Sequence, residues 1–326
     1  MTESPLPLVS ITRPLPEALL APLRALAQVR TATTDAPDNL AALLRDAQYA
    51  LVVPPDRIDA ALLAGCPRLR QVITVSAGFD HIDLGACSAR GVRVANTPGA
   101  VIAATADMAF GLLLAASRRI VEADAYVRAG RWTASFPPLL GQDVHHKCMG
   151  ILGLGRIGAE LAKRARGFDM QVIYHKRERL APGEEAAMGV RHVGFDELLA
   201  HSDALMVQVP YSPATHHLIG APELARMKPT AVLVNAARGG VVDDAALAAA
   251  LRTGRLAAAG LDVVEGEPDL LPALRELPNV VLSPHLGSAT RETHQRMVLE
   301  AFANLTATLQ GQPLAHCLHP APAPSS

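Results

Sequence analysis

Short apolar runs, each bounded by Pro, Gly or charged residues, recur along the chain and are separated by stretches with helical spacing. Runs of this length read as strands buried on both faces, as in parallel sheets. In the first third, Leu8-Val-Ser-Ile11, Ala50-Leu-Val-Val53, Gln71-Val-Ile-Thr-Val75 and Val92-Arg-Val-Ala95 are predicted strands, with a helix from Pro16 to Ala27. Asn96-Thr-Pro-Gly99 then punctuates the chain as a hinge. A long Ala/Leu helix is predicted from about Val101 to Ala129, broken into two pieces. Beyond it, Cys148–Leu152, Gln171–Tyr174, Ala204–Val209, Ala231–Asn235, Ala257–Asp262 and Val280–Ser283 are predicted strands, and Glu292–Leu309 a closing helix. This alternation predicts an α/β chain with two doubly wound parallel sheets. The Pro-rich tail from Pro320 to Ser326 is expected to be disordered.

Composition narrows the classes of function. At 326 residues the chain is long enough for two domains. A formal net charge of -1 implies neither nucleic acid nor an anionic membrane as partner. The longest apolar stretch, Met108 to Ser117, is too short to span a bilayer and runs into Arg118-Arg119. Residues Met1 to Pro7 lack the basic region and apolar core of a signal peptide, so a cytoplasmic location is expected. Cys66, Cys87, Cys148 and Cys317 are scattered without a Cys-x-x-Cys pair, which reads as reduced thiols.

The run Gly153-Leu154-Gly155-Arg156-Ile157-Gly158 follows a predicted strand and opens a predicted helix. In that setting Gly153 makes the turn, Gly155 lets backbone approach a pyrophosphate, and Gly158 lets the helix pack on the strand. The first helical turn offers free N–H groups and a positive dipole end to phosphates. Dinucleotide enzymes that use NAD(H) place an acidic residue about 20 positions further on, at the adenine ribose. Here the chain reads His175-Lys176-Arg177-Glu178-Arg179 instead. Lys and Arg donors attract a ribose 2′-phosphate that a carboxylate would repel, so NADP(H) is expected over NAD(H). A solvated basic loop is the alternative, and Glu178 speaks for it.

Ligands of open α/β sheets bind beyond the carboxyl ends of the strands. Three polar residues stand there: Arg238 before Gly239-Gly240, Glu267 in Glu265-Gly-Glu-Pro268, and His285 in Ser283-Pro-His-Leu-Gly287. The Arg fork suits a carboxylate. A carboxylate paired with imidazole raises its pKa and orients it, making His285 a candidate general acid for a carbonyl oxygen. Together they suggest reduction of a 2-keto acid. Singly, each also reads as a surface ion-pair partner, a loop residue or a turn residue. Two histidine pairs, His145-His146 and His216-His217, are read as structural or surface residues, and no metal is expected. Adjacent strand residues face opposite ways, so a pair supplies one ligand unless a loop bends both together. Tyr211, after Pro210, reads as packing at a strand end.

The set Gly153-x-Gly155-x-x-Gly158, Asn235-Ala-Ala-Arg238-Gly239, Gly260-Leu-Asp262-Val263, Glu265-x-Glu267-Pro268 and Pro284-His285-Leu-Gly287-Ser-Ala-Thr290 resembles the D-2-hydroxyacid dehydrogenase family. Val75-Ser-Ala-Gly78-Phe-Asp80 and Asn96-Thr-Pro-Gly99 extend the likeness over essentially the whole chain. Asp143-Val-His-His-Lys147 is similar to the bacterial glyoxylate/hydroxypyruvate and 2-ketogluconate reductase branch, and Lys176-Arg177 to its NADP-preferring members.

The resemblance implies that Arg238 grips the substrate carboxylate, that His285 donates the proton, and that Glu267 is its partner. It implies that the Val75, Ser76, Ala77 and Gly78 segment binds substrate through backbone amides. It places the cofactor against the glycine turn, Thr105, the His175-Lys176-Arg177 loop, Val209, Pro210, Ala236, Ala237, Arg238, Asp262, His285 and Gly287, with Asp262 at the carboxamide. It implies a nucleotide domain, residues 99–287, inserted in a flavodoxin-like substrate domain of residues 1–98 and 288–326. The helix after Pro98 resembles the family's dimerisation arm, so a homodimer is expected, with Trp132 reaching toward the neighbouring subunit. Substrate chain length would be set near Leu51–Pro54 and Phe136-Pro137-Pro138. Other readings stay open: a nucleotide-sensing corepressor-like protein, the same fold oxidising phosphite or formate, and, with least support, a methyltransferase.

Overall fold

A computed structural model describes residues 6–34, 39–133, 135 and 138–318. Phe136, Pro137, the first residues of the chain and its Pro-rich tail lie outside them. The chain divides into two compact units, Met1–Val101 with Thr290–Ser326, and Ile102–Ala289.

The first unit carries β1 (Leu8–Ile11), β2 (Gln28–Thr31), β3 (Tyr49–Val52), β4 (Gln71–Thr74) and β5 (Arg93–Ala95). They form one parallel sheet in the order β2-β1-β3-β4-β5, the flavodoxin-like winding. The helix Arg291–Leu309 returns to this unit late in the sequence, capped by Thr290, whose hydroxyl accepts from the Thr293 amide at 3.1 Å. Its Val298, Ala301, Phe302 and Leu305 share one apolar cluster with Val9, Ile11 and Ile73.

The second unit carries β6 (Cys148–Leu152), β7 (Gln171–His175), β8 (Val190–His192), β9 (Ala204–Val207), β10 (Val232–Asn235), β11 (Ala258–Leu261) and β12 (Val280–Leu282). All are parallel, in the order β12-β11-β10-β9-β6-β7-β8. Side chains alternate between two buried faces: Met149, Ile151, Met206 and Val234 enter one cluster, Leu152, Leu205, Val207 and Leu233 the other. Both faces are therefore dry, which explains why the strands read as unbroken apolar runs. The helix Ile102–Ser117 covers the first of these faces with Ala106, Ala109, Phe110, Leu113 and Ala116. The long predicted helix does break in two, because Arg119 takes φ 54 before a second helix, Ile120–Arg128.

Two strands, β2 and β8, have no counterpart among the predicted ones. Each lies at a sheet edge and pairs on one side only. Gln28-Val-Arg-Thr31 alternates exposed and half-buried positions, and Val190–His192 is three residues long. Such edges need little apolar content and give no apolar run to find.

Candidate active site

The glycine turn sits between β6 and β9, where the direction of winding reverses and where open sheets bind ligands. Gly153 has φ 97, and a Cβ there would lie 2.8 Å from the Gln208 carbonyl carbon and from Val209 Cγ1. No other residue fits. Leu154 is buried and Ile157 packs on the core beneath, which anchors the turn from below. Gly155 precedes the helix Arg156–Arg166, and nothing lies within 4 Å of the place its Cβ would occupy. An open backbone surface thus leads directly onto the free amides of a helical first turn, which is what a pyrophosphate requires. On the strand end against which Gly153 packs, the Gln208 side-chain nitrogen is buried without a hydrogen-bond partner among the described residues. The donor set and the open cradle fit a dinucleotide.

The basic stretch separates by role. His175 ends β7, and its Nδ1 is 3.0 Å from the Val193 carbonyl, so it is held to the sheet. Arg179 makes two bonds to Glu185, at 2.9 and 2.7 Å, and Tyr174 adds a third at 2.7 Å. These bonds, Arg179 first and then Tyr174, hold the Glu185 carboxyl down at about 2. Arg179 is therefore committed to structure. Lys176 is half-buried and Arg177 exposed, and among the described residues neither forms an ion pair.

Arg238, Glu267 and His285 follow β10, β11 and β12, three neighbouring strands whose ends lie side by side at Asn235, Leu261 and Leu282. His285 Nδ1 lies 2.8 Å from Glu267 Oε2. That bond raises the imidazole pKa; burial and the nearby Arg238 charge oppose it, and the Glu267 and Asp262 charges reinforce it. With Nδ1 turned to the carboxylate, Nε2 is the ring atom left to face a substrate, and half of the side chain is exposed.

Two residues hold this arrangement. Asp262, buried at the end of β11, accepts from Ser283 Oγ at 2.6 Å, the Leu286 amide at 2.8 Å and the Gly287 amide at 2.7 Å. It ties down the turn on which His285 sits at φ 55. Asn235 does the same for Arg238: its Nδ2 donates to the Arg238 carbonyl at 3.0 Å and its Oδ1 accepts from Ala237 at 3.1 Å. Neither holding role was evident from sequence; a buried polar residue at a strand end followed by a functional turn is the signal that points to it. Asp262 thus has work within the fold beside the cofactor contact expected of it. The Arg238 and Glu267 loops also meet closely, since a Cβ on Gly239 would lie 1.9 Å from the Val264 carbonyl oxygen.

Thr105 and Gly287 are neighbours: a Cβ on Gly287 would be 3.3 Å from Thr105 Cγ2 and 3.1 Å from Asp262 Oδ2. Ala236 is buried, and Ala237, Arg238 and Val209 are half-buried at the strand ends, with Pro210 exposed. In the other unit, the segment after β4 is held by its carbonyls. Ser76 O accepts from the Thr97 amide at 2.9 Å, Ala77 O from Asn96 Nδ2 at 2.7 Å and Gly78 O from Ser76 Oγ at 2.5 Å. Among the described residues, the amides of Ser76, Ala77 and Gly78 make no hydrogen bond. Val75 lies just past the strand rather than inside it, its amide bonded to Val52 at 2.8 Å.

The histidine pairs differ. His145 and His146 are exposed, with ring centroids 5.1 Å apart. His216 and His217 are bent together beside Glu265, a grouping not anticipated from sequence. Tyr211 is not packed away but 44% exposed, edge-on to His216.

The family model described as "D-isomer specific 2-hydroxyacid dehydrogenase, NAD binding domain" matches residues 110–287. The chain belongs to the D-isomer specific 2-hydroxyacid dehydrogenase family. It is 46% identical to a glyoxylate reductase of Thermococcus litoralis over 274 residues, covering 82% of each chain. It is 42% identical to glyoxylate/hydroxypyruvate reductase B of Escherichia fergusonii over 322 residues, 96% of this chain and 98% of the relative. Among solved structures, it resembles an NADPH-dependent glyoxylate/hydroxypyruvate reductase from Sinorhizobium meliloti, in complex with NADP and malonate. The TM-score is 0.83 at 31% identity, over 96% of each chain. The two parallel α/β units match solved structures of this family. No helix among the described residues is long and apolar enough to cross a membrane.

Proposed function

We propose that the protein reduces small 2-keto acids such as glyoxylate and hydroxypyruvate, and also 2-ketogluconate, to D-2-hydroxy acids, with NADPH preferred over NADH. The observation that carries this reading is the 2.8 Å bond between His285 and Glu267, placed beyond the end of a strand beside the one that leads to Arg238. The relatives named for glyoxylate and hydroxypyruvate reduction support the substrate class.

A bound nicotinamide dinucleotide would supply the hydride that adds to C2. The chain's own residues supply the rest. Arg238 binds the substrate carboxylate through its planar fork and draws charge toward the keto oxygen. In the first unit, the unbonded amides of Ser76, Ala77 and Gly78 are assigned to substrate binding on the family resemblance. His285, kept protonated by Glu267, delivers the proton from Nε2 to the keto oxygen. The first turn of the helix Arg156–Arg166 would hold the pyrophosphate, and Lys176 and Arg177 the 2′-phosphate. Thr105, His175, Val209, Pro210, Ala236, Ala237, Asp262 and Gly287 would border the cofactor. We assign the protein to the cytoplasm and to a homodimer; Ile120, Val121 and Val127 expose about half of their surface on the helix Ile120–Arg128, and Trp132 is 61% exposed.

The test is the initial rate of nicotinamide oxidation with hydroxypyruvate and glyoxylate, with NADPH and NADH in parallel at subsaturating cofactor. Rapid turnover favouring NADPH is expected. Replacing both Lys176 and Arg177 by Ala should cost NADPH roughly tenfold or more in kcat/KM, as expected for lost charge-assisted phosphate contacts, with little change for NADH. An equal loss with both cofactors would remove the phosphate role from these residues. Turnover of phosphite or formate in place of keto acids would overturn the substrate class.

A further inference from the structure

Among the described residues outside the candidate active site, a grouping of ligating side chains lies where the loop after β9 meets the loop after β11. We propose that His216, His217 and Glu265 form a binding site for a divalent cation of the zinc class, linking these two loops.

The backbone makes the site possible. Two adjacent histidines on an extended strand would point to opposite faces. His217 instead takes φ 49, in the left-handed region, and this bend brings both imidazoles to one side. Their rings stack with centroids 3.9 Å apart and planes 24° from parallel. Glu265 arrives from the other loop, its Oε2 2.9 Å from His217 Nε2. One donor atom from each of the three residues lies within 4.8 Å of the others. Ligands about 2.0 Å from a tetrahedral ion stand roughly 3.3 Å from one another, so side-chain rotation alone closes the site. A divalent cation would take the place of the hydrogen bond between His217 and Glu265.

Both loops are held at their backbones, so the donor atoms are pre-positioned while the side chains stay free to turn. Thr215 Oγ1 accepts from the Ser212 amide at 2.7 Å and donates to the Pro210 carbonyl at 2.8 Å. The His217 amide donates to the Gly240 carbonyl at 2.8 Å. The Glu265 amide donates to Asp244 Oδ2 at 2.9 Å. The outer contacts follow the order carboxylate, imidazole, ion. His217 Nδ1 lies 3.8 Å from Asp243 Oδ2, and His216 Nδ1 lies 3.4 Å from the Tyr211 hydroxyl. Further carboxylates stand close by: Asp243 faces His217, and Asp244 accepts from the Glu265 amide. Two imidazoles and one carboxylate favour zinc, nickel or copper over magnesium or calcium, which take all-oxygen sets. His216 and Glu265 are exposed, so an ion has direct access and room for a water as a further ligand.

The test uses the full chain without an affinity tag, stripped with a chelator. It is dialysed against buffered Zn2+ and separately titrated with Co2+ while visible absorption is followed. About one equivalent of Zn2+ per chain is expected, with Co2+ bands of a nitrogen and oxygen site lacking the intense thiolate transition. His216→Ala and Glu265→Gln should each weaken Zn2+ binding by at least about tenfold, whereas the double change His145→Ala with His146→Ala should leave it unaltered. Zn2+ should raise the unfolding temperature of the wild type and leave that of Glu265→Gln unmoved, which separates lost binding from lost folding. The absence of bound Zn2+, a thiolate band pointing to the cysteines, or unchanged affinity in Glu265→Gln would each overturn the proposal.

Discussion

The chemistry proposed for His285 runs through one neighbour. The 2.8 Å bond from Glu267 raises the imidazole pKa, so the protonated form persists to higher pH than an isolated histidine allows. The proposed reduction would consume that proton. Its rate should therefore be full at low pH and fall as pH rises through the raised value. In Glu267→Gln the carboxylate is gone, while burial and Arg238 still act against the charge. The falling limb of the pH profile for hydroxypyruvate reduction should then move to lower pH, which steady-state rates across pH would show. An unmoved limb would take Glu267 out of the proton path. At this scale much was legible beforehand. Arg238, Glu267 and His285 stood out as candidates because residues just past the ends of buried strands face the ligand side of an open sheet. The supports were not: nothing in Gly260-Leu-Asp262 declares that its carboxylate accepts three donors from the 283–287 turn. Nor does His216-His217 reveal the left-handed φ of its second residue, a conformation that side chains rarely take.

Between elements, the Arg238 and Glu267 loops are locked by backbone contact. Only a glycine at position 239 lets the end of the β10 turn lie against the Val264 carbonyl. Gly239→Ala should destabilise the fold by about 2 kcal/mol or more, the cost of overpacking against backbone that cannot move aside. It should also lower turnover, since Arg238 and Glu267 would be pushed apart; thermal unfolding and hydroxypyruvate kinetics on the same variant check both. A variant with wild-type stability would show that these loops have slack. The central strands of both sheets were readable because two buried faces make a run of Val, Ile, Leu and Met unmistakable. The edge strands β2 and β8 were not, since one-sided pairing asks little of their sequence.

For the whole molecule, chain order matters more than any one motif. The nucleotide-type unit interrupts a flavodoxin-like unit whose final helix, Arg291–Leu309, returns after it to pack with Val9 and Ile11. Periodicity predicted that helix, while its return to the first unit rested on the family resemblance. The apolar residues left open on the helix Ile120–Arg128 belong to this scale too. Charging that face with Val121→Glu should convert a dimer to monomers in sedimentation velocity; a wild type that sediments as a monomer would remove the proposed assembly. The proton-donor role of His285 is tested by comparing wild type and His285→Ala in hydroxypyruvate reduction with NADPH, together with NADPH affinity. The expected result is a fall in kcat of about 10²–10⁴-fold with nearly unchanged NADPH binding, the signature of a lost general acid. An unaltered kcat would exclude His285 as the proton donor and send the proton path elsewhere.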